Sequence, residues 1–184
     1  MLTLFHDYTS PASAVAVARL QRLADEGLAV EFSGFEAVGV DAILPVTVDV
    51  VAALAELSDA ATAEGLTLRR PPAMPPTGWA HVLEALAVQR GLGASWRAVC
   101  YAAYWQRGVD LADHGVLEGL AVAAGLEVAE AAAALGDPGR LAAFRRSLAQ
   151  HRRGGVGGVP TILAQRTLIP ALLPDEQLRT LAQL

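Results

Sequence analysis

The chain has 184 residues, which is enough for one domain, or for one domain that carries a large insertion. Its composition is 53% hydrophobic and includes 37 alanines and 27 leucines, a bias that favours helix because alanine loses no side-chain entropy there. The net charge of −5 and the lack of any basic run longer than two residues argue against nucleic acid as a partner.

The residue types that are missing exclude several kinds of chemistry. All fourteen basic residues are arginine, so neither a Schiff-base lysine nor the phosphate-binding lysine of a P-loop is available. Cys100 is the only cysteine, which excludes an intrachain disulfide, and the four histidines are too scattered to predict a metal site. No apolar run reaches the roughly 18 residues of a membrane span and no signal peptide is visible, so we expect a cytoplasmic protein without a membrane partner.

The first forty residues predict a strand, a helix and a second strand. Residues 2–6 form a short apolar stretch typical of a buried strand. From Pro11 to about Glu26 the apolar residues recur at helical spacing, and Gly27 ends the helix. Residues 28–36 alternate as a strand does. This order predicts a parallel pair of strands joined by a crossover.

The pattern then changes for about a hundred residues, and only helices are predicted between Val48 and Arg153. Polar residues at helix starts and glycines at helix ends define most of the boundaries. The predicted helices cover residues 48–64, 77–90, 95–106, 113–125, 127–135 and 137–154, with N-caps at Thr77, Ser95, Asp113 and Asp137.

The last thirty residues return to mixed structure. A glycine-rich loop at 154–158 precedes a strand at 159–163, a tight turn at Gln165-Arg166 and a short partner strand at 167–169. A closing helix is predicted from Pro174 to Leu184. The whole order predicts an α/β fold, in which a thioredoxin-like core of residues 1–40 and 154–184 is interrupted by an all-helical insertion at residues 41–153.

Two loops carry a resemblance to a known family. Residues 7–13, DYTSPAS, and residues 157–161, GGVPT, resemble the diagnostic loops of the DsbA family of thioredoxin-fold proteins, and segment 101–110 resembles a helical segment of that family. The family's oxidoreductases begin their first helix with Cys-x-x-Cys, and those two positions look like Ser10 and Ser13 here. Because serine cannot form a disulfide, the resemblance implies that thiol–disulfide exchange is absent.

Another branch of the family carries a serine followed by proline, as in Ser10-Pro11. This branch comprises the kappa-class glutathione transferases and the 2-hydroxychromene-2-carboxylate isomerases, and the resemblance implies that Ser10 hydrogen-bonds the sulfur of bound glutathione. Residues 169–172 and the short last helix are more similar to the oxidoreductase branch, so the branch stays open. We expect glutathione-dependent isomerase or transferase chemistry on a small electrophile. The alternative is a catalytically degenerate homologue that binds a peptide or partner protein.

The resemblance also supplies the candidate site. Ser10 and Ser13 are the candidate catalytic residues, and Ser10, Pro11, Val159 and Pro160 are the candidate glutathione-binding residues. A cis Pro160 would expose the backbone of Val159 to glutathione or a peptide. Each has a structural alternative: Ser10 as a helix N-cap, Ser13 bonded to the backbone, and Pro160 as a plain start of a strand.

Several other side chains have open interpretations. His6 and Asp7 end the first strand, where they either form a structural hydrogen-bonded pair or transfer a proton. Cys100 lies among apolar helical residues, which predicts a buried thiol and no redox chemistry. A homodimer is one arrangement that the glutathione-using relatives imply, although no segment specifies an interface. Five aromatic residues either line a cleft between insertion and core or belong to the hydrophobic core: Trp79, Trp96, Tyr101, Tyr104 and Trp105.

Overall fold

The computed structural model describes residues 1–170 and 172–183, and in it four strands form one mixed sheet. Strand order across the sheet is β2-β1-β3-β4. β1 runs parallel to β2 and antiparallel to β3, and β3 runs antiparallel to β4. The predicted α/β class and order of elements are confirmed. The strands are β1 Leu2–His6, β2 Val30–Gly34, β3 Thr161–Ala164 and β4 Thr167–Ile169.

Helices make up most of the remaining structure, and the stretch between β2 and β3 is helical as predicted. No helix in the described part of the chain is both long and apolar enough to cross a membrane. The helices are α1 Pro11–Asp25, α2 Val48–Glu56, α3 Ser58–Ala63, α4 Gly78–Gln89, α5 Gly93–Arg107, α6 His114–Ala124, α7 Val128–Leu135, α8 Pro138–Arg153 and α9 Asp175–Gln183.

Two helix predictions in the insertion were wrong. The single helix expected over 48–64 is divided at Leu57, whose backbone leaves the helical region at ψ 2°, and Ala61 is the buried residue of the second piece. The helix expected to begin at Ser95 begins at Gly93 instead. The carbonyl of Leu92 accepts the N–H of Trp96 as the first backbone hydrogen bond of the helix, and no side chain caps this start.

Other boundaries differ by a few residues. β3 begins at Thr161 rather than Val159, since Pro160 has no N–H to donate to the sheet. β2 is shorter than the predicted 28–36. The predicted end of the last helix at Leu184, and Ala171 within segment 169–172, lie outside the described residues.

One main hydrophobic cluster joins the sheet to the helical insertion. Leu4 and Leu20, from β1 and α1, belong to the same buried cluster as Leu83, Trp96 and Leu117 from the insertion. The insertion therefore packs on the sheet-bearing part over a shared core. The division at residues 40 and 153 stays a prediction.

Candidate functional site

The candidate residues meet at one edge of the sheet. β1 is parallel to β2 and antiparallel to β3, and Phe5 near the end of β1 lies opposite Thr161, the first residue of β3. The end of β1 therefore lies beside the start of β3. Ser10 follows the end of β1, and Pro160 directly precedes β3. The topology therefore brings together two loops that are about 150 positions apart in the sequence. The Val159–Pro160 peptide bond is cis, as the resemblance implied.

Ser10 and Ser13 form the first turn of α1, but only one of them is accessible. Ser10 is half-buried and is the N-cap, with its hydroxyl oxygen accepting the Ser13 N–H at 3.1 Å. Pro11 occupies the first helical position, where its fixed φ suits a helix start. Ser13 is fully buried, and its hydroxyl accepts the N–H of Asp7 at 3.3 Å. The two serines are therefore linked by hydrogen bonds, with Ser13 behind Ser10.

The Pro160 loop presents a backbone next to this helix end. Pro160 is buried and Val159 is half-buried. The hydroxyl of Thr161 donates to the carbonyl of Gly158 at 2.7 Å, which holds the turn that precedes the strand. No hydrogen bond from elsewhere in the described chain reaches the backbone of Val159. Its N–H and C=O remain available to an extended ligand.

Cys100 lies away from this edge, in the hydrophobic core. Its side chain is fully buried within α5. Burial, followed by the negative charge of Glu84, raises the pKa of the thiol well above its usual value. The thiolate needed for a nucleophile is therefore suppressed, and the prediction of a buried thiol is confirmed.

His6 and Asp7 do not pair with each other, so the expected structural pair was wrong. Nε2 of His6 lies 3.0 Å from Glu84, and Nδ1 lies 3.1 Å from the hydroxyl of Tyr101. Asp7 instead accepts the Thr77 hydroxyl at 2.8 Å. Asp7 follows the end of β1 and hydrogen-bonds Ala37 and Thr77, so the two side chains have separate hydrogen-bond partners, although both lie near the ring of His81.

Glu84 is the centre of a buried polar cluster beneath the site. Its Oε1 lies 3.0 Å from Nε2 of His6 and 3.3 Å from a guanidinium nitrogen of Arg97. Its Oε2 accepts the Tyr8 hydroxyl at 2.9 Å and lies 3.0 Å from Nδ1 of His81. Four donors thus surround one buried carboxylate. We call Glu84, His6, Tyr8, His81 and Arg97 the Glu84 cluster.

The pKa values of the buried groups in this region depend on their burial and on the charges of their neighbours. Burial favours the neutral form of Glu84, but the facing His6 and His81 hold its pKa well below the usual range. Burial also lowers the pKa of His81, yet the carboxylates of Asp7 and Glu84 outweigh it and raise the pKa to about 9. Nε2 of His81 lies 3.8 Å from Asp7, beyond hydrogen-bond distance, so Asp7 acts on it as a charge. Burial lowers the pKa of His6, although the facing Glu84 opposes this shift.

Two carboxylates connect the site to the start of α4. Asp7 accepts the Ala37 N–H at 2.8 Å in addition to the Thr77 hydroxyl. Glu36 accepts the N–H groups of Thr77 and Gly78 at 3.1 and 3.0 Å, where the positive end of the α4 dipole favours a negative charge. Thr77 therefore precedes α4 as predicted. Its hydroxyl does not cap the helix and instead donates a hydrogen bond to Asp7.

The sequence offered no local signal for this cluster. Tyr8 and Glu84 are separated by 76 residues, and His6 and Glu84 by 78. The His81 and Glu84 pair, three residues apart, is a common helical spacing and gives no indication of burial. Within the residues the structure describes, no group of three His, Cys, Asp or Glu side chains is placed to hold a metal ion.

Two cavities lie beside the cluster. The α1–α5 cavity, of about 300 Å³, is enclosed by α1, α5 and residues 66–68. The β2–α8 cavity, of about 510 Å³, lies between β2, α4 and α8. Neither is lined by Ser10 or Pro160. Four of the five aromatic residues belong to the buried core, and Trp79 packs partly buried against it. Two of the four, Tyr101 and Trp105, also line the α1–α5 cavity.

Comparison with known proteins extends over the whole chain. The family model of the DSBA-like thioredoxin domain matches residues 1–184. Comparison with curated protein sequences gives no match.

Solved structures give three informative comparisons. A probable DsbA oxidoreductase from Streptomyces coelicolor is 25% identical, with a TM-score of 0.84 over 99% of this chain and 88% of that one. The cytosolic disulfide reductase DsbM from Pseudomonas aeruginosa, solved with GSH, is 25% identical, with a TM-score of 0.65 over 99% of this chain and 97% of that one. A 2-hydroxychromene-2-carboxylate isomerase is 17% identical, with a TM-score of 0.78 over 99% of this chain and 92% of that one, and it shares the fold.

Proposed function

The chain belongs to the DSBA-like thioredoxin domain family, and we propose that it uses glutathione to carry out isomerase or transferase chemistry on a small electrophile. The observation that carries the proposal is the place of Ser10. The half-buried Ser10 is the N-cap of α1, at a position that resembles the first cysteine of the family's oxidoreductases, and it follows β1 at the end of the sheet where the Pro160 loop enters β3.

Ser10 has a hydroxyl proton free for a sulfur atom. Its oxygen is occupied as acceptor by the Ser13 N–H at 3.1 Å, which leaves the O–H to donate. The positive end of the helix dipole favours an anion at the same point, and both effects lower the pKa of a bound thiol. When bound, glutathione would supply the thiol as a nucleophile, and Ser10 would hold its sulfur as the thiolate.

Other residues of the site bind and orient. The free N–H and C=O of Val159 would pair with the peptide groups of glutathione, as an added strand pairs with a sheet edge. Pro11 occupies the first position of α1, and Pro160 precedes β3 in the loop that the sheet topology brings beside this helix start. Ser13 is fully buried and would act through Ser10, which makes it a positioning residue.

Two comparisons support this proposal. DsbM, which is 25% identical over nearly the whole chain, was solved with GSH, and 2-hydroxychromene-2-carboxylate isomerase shares the fold. The cytosolic placement of DsbM also supports a cytoplasmic location here.

The test is titration with reduced glutathione, followed by calorimetry and by thiolate absorbance near 240 nm. We expect Ser10→Ala to raise the pKa of the bound thiol and to weaken binding about tenfold, as for a hydrogen bond to a charged group. Pro160→Ala should weaken binding as well. The matched controls are Ser95→Ala and Pro45→Ala, two exposed positions outside the site. Cys100 adds no thiolate signal because burial raises its pKa.

A second candidate function rests on the unpaired backbone of Val159. If folded protein gives no heat with glutathione at several temperatures, the glutathione proposal fails. The remaining account is then a non-catalytic module that binds a peptide along Val159 and Pro160. Such a module should bind extended peptides with an affinity that Pro160→Ala lowers and Ser10→Ala leaves unchanged.

A further inference from the structure

Asp7 connects the turn before α1 with two segments that are remote in the sequence. It directly follows β1 and is 1% exposed. Its Oδ2 accepts the N–H of Ala37, in the loop after β2, at 2.8 Å. Its Oδ1 accepts the hydroxyl of Thr77, at the start of α4, also at 2.8 Å. The carboxylate is therefore held from two sides by separate parts of the fold.

The remaining polar groups of Asp7 bind the turn that carries Ser10. The carbonyl of Asp7 accepts the N–H of Ser10 at 3.2 Å, and its own N–H donates to the hydroxyl of Ser13 at 3.3 Å. Oδ1 also accepts the N–H of Thr9 at 3.4 Å. Ser13 in turn donates its N–H to the hydroxyl of Ser10 at 3.1 Å. The position of the Ser10 hydroxyl therefore depends on where Asp7 is held.

These contacts require the carboxylate form of Asp7. Burial raises the pKa of Asp7, but the positive charge of His81 and the surrounding donors outweigh it and hold the pKa below its usual value. Both oxygens of an ionised carboxylate accept hydrogen bonds, whereas an amide has one acceptor and one NH₂ donor. An asparagine at this position would therefore turn its NH₂ either toward the N–H of Ala37 or toward the N–H of Thr9.

From these contacts we infer that Asp7 is a positioning residue for Ser10, and that Thr77 assists by holding the Asp7 carboxylate. Asp7 is too buried to touch a ligand, and it acts by fixing the turn of residues 7–10. The effect is on the sulfur of glutathione, because the hydroxyl of Ser10 is the group that is held. That effect rests on the proposed function, whereas the hold of Asp7 on the turn does not.

The first experiment needs no glutathione and measures amide hydrogen exchange by NMR. Asp7→Asn keeps the size of the side chain, and Thr77→Val keeps the shape of its side chain but removes the donor. In both variants the amides of Thr9 and Ser10 should exchange about threefold or more faster, as expected when a hydrogen bond that holds the turn is lost. Thr77→Ser keeps the hydroxyl and should restore the exchange rates of the parent protein.

Two exchange results would overturn the inference. One is unchanged exchange at Ser10 in both variants. The other is a uniform increase that includes the amide of Leu4, within β1, because it would show that the whole fold is destabilised and that the turn is not specifically affected.

The second experiment separates the sulfur of glutathione from its peptide groups. S-methylglutathione keeps the peptide groups but cannot form a thiolate. In calorimetric titrations Asp7→Asn should bind reduced glutathione about tenfold more weakly than the parent, as for a lost hydrogen bond to a charged group. Its affinity for S-methylglutathione should equal that of the parent. The control is Thr62→Val, at an exposed position on α3 whose hydroxyl bonds only its own helix.

A double-mutant cycle shows whether Asp7 acts through Ser10. In the Ser10→Ala background the hydroxyl is gone, so Asp7→Asn should cause no further loss of affinity for glutathione. Equal losses in both backgrounds would show that Asp7 acts without Ser10 and would overturn the inference. If the parent protein binds no glutathione, the proposed function fails instead. The exchange of the Ser10 amide then decides by itself whether Asp7 holds the turn.

Discussion

His81 is a buried cation held between two carboxylates. Nδ1 lies 3.0 Å from Glu84, and Nε2 lies 3.8 Å from Asp7. Its ring stacks between Tyr8 and Phe144, with centroid distances of 4.7 and 5.3 Å. These contacts place a charged ring inside the protein, where its charge depends entirely on the two acids.

This arrangement predicts a pH dependence of stability. The pKa of His81 is about 9 in the folded chain, because the carboxylates outweigh burial, and about 6.5 when unfolded. Because the pKa of His81 is higher in the folded chain, protonation of this ring stabilises the fold. The stabilisation is complete below pH 6.5 and is lost as the pH rises through 9. Urea denaturation should therefore show the free energy of unfolding falling by about 2–3 kcal/mol between pH 7 and pH 9.5.

The control is His81→Gln, measured over the same range. Deprotonation of Cys100 in the unfolded chain lowers stability at high pH in both proteins, so the difference between the two pH profiles isolates His81. Parallel profiles for the parent and His81→Gln would contradict the assignment of the charge to this ring.

At the scale of elements, Gly34 determines how closely β2 approaches α4. It ends β2, and a Cβ at this position would lie 2.3 Å from Nδ1 of His81. Real Cβ atoms do not approach a ring this closely, and the ring itself is fixed by its carboxylate partners. The contact of β2 with α4 therefore requires glycine for space and not for a special backbone angle.

Gly34→Ala should destabilise the protein by roughly 1–3 kcal/mol, because the overlap falls on a buried ring that cannot move freely. Gly119→Ala is the matched control. It lies exposed within α6 with open space around its Cβ, and there alanine should stabilise by up to about 1 kcal/mol. Urea denaturation of both variants measures the change in the free energy of unfolding, which should be negative for Gly34→Ala and positive for Gly119→Ala. Equal changes would show that the overlap with His81 is relieved at low cost.

Helix starts show which elements could be predicted. Ser10, Asp113 and Asp137 each accept an N–H two or three residues later, and all three were predicted as N-caps. Ser95 is also a serine but lies inside α5, whose start has no side-chain cap. A helix start with a side-chain cap can be predicted from the sequence, whereas a start without one leaves no such local signal.

At the scale of the whole molecule, the thiol of Cys100 reports on global unfolding. Cys100 is fully buried in the cluster that joins insertion and sheet, and burial raises its pKa well above the usual value. Both the access and the thiolate required for reaction are therefore absent in the folded protein.

We expect no reaction of the native protein with 5,5′-dithiobis(2-nitrobenzoic acid) on a scale of hours, and release of one equivalent of chromophore per chain in urea. Ala149→Cys adds an exposed thiol on α8 and should react at once, which checks the assay. Stoichiometric reaction of the native parent chain would show that Cys100 becomes accessible without unfolding. It would also reopen redox chemistry for this protein.

The order of strands and helices could be predicted from the sequence, as could the start of α1 at Ser10-Pro11 and the loop around Pro160. These features depend on periodicity, on capping within three residues and on short motifs, which are local along the chain. The arrangement of His6, Tyr8, His81 and Arg97 around Glu84 could be seen only in the folded chain. Such contacts join residues up to 78 positions apart and depend on how the helices pack on the sheet, which no local pattern records.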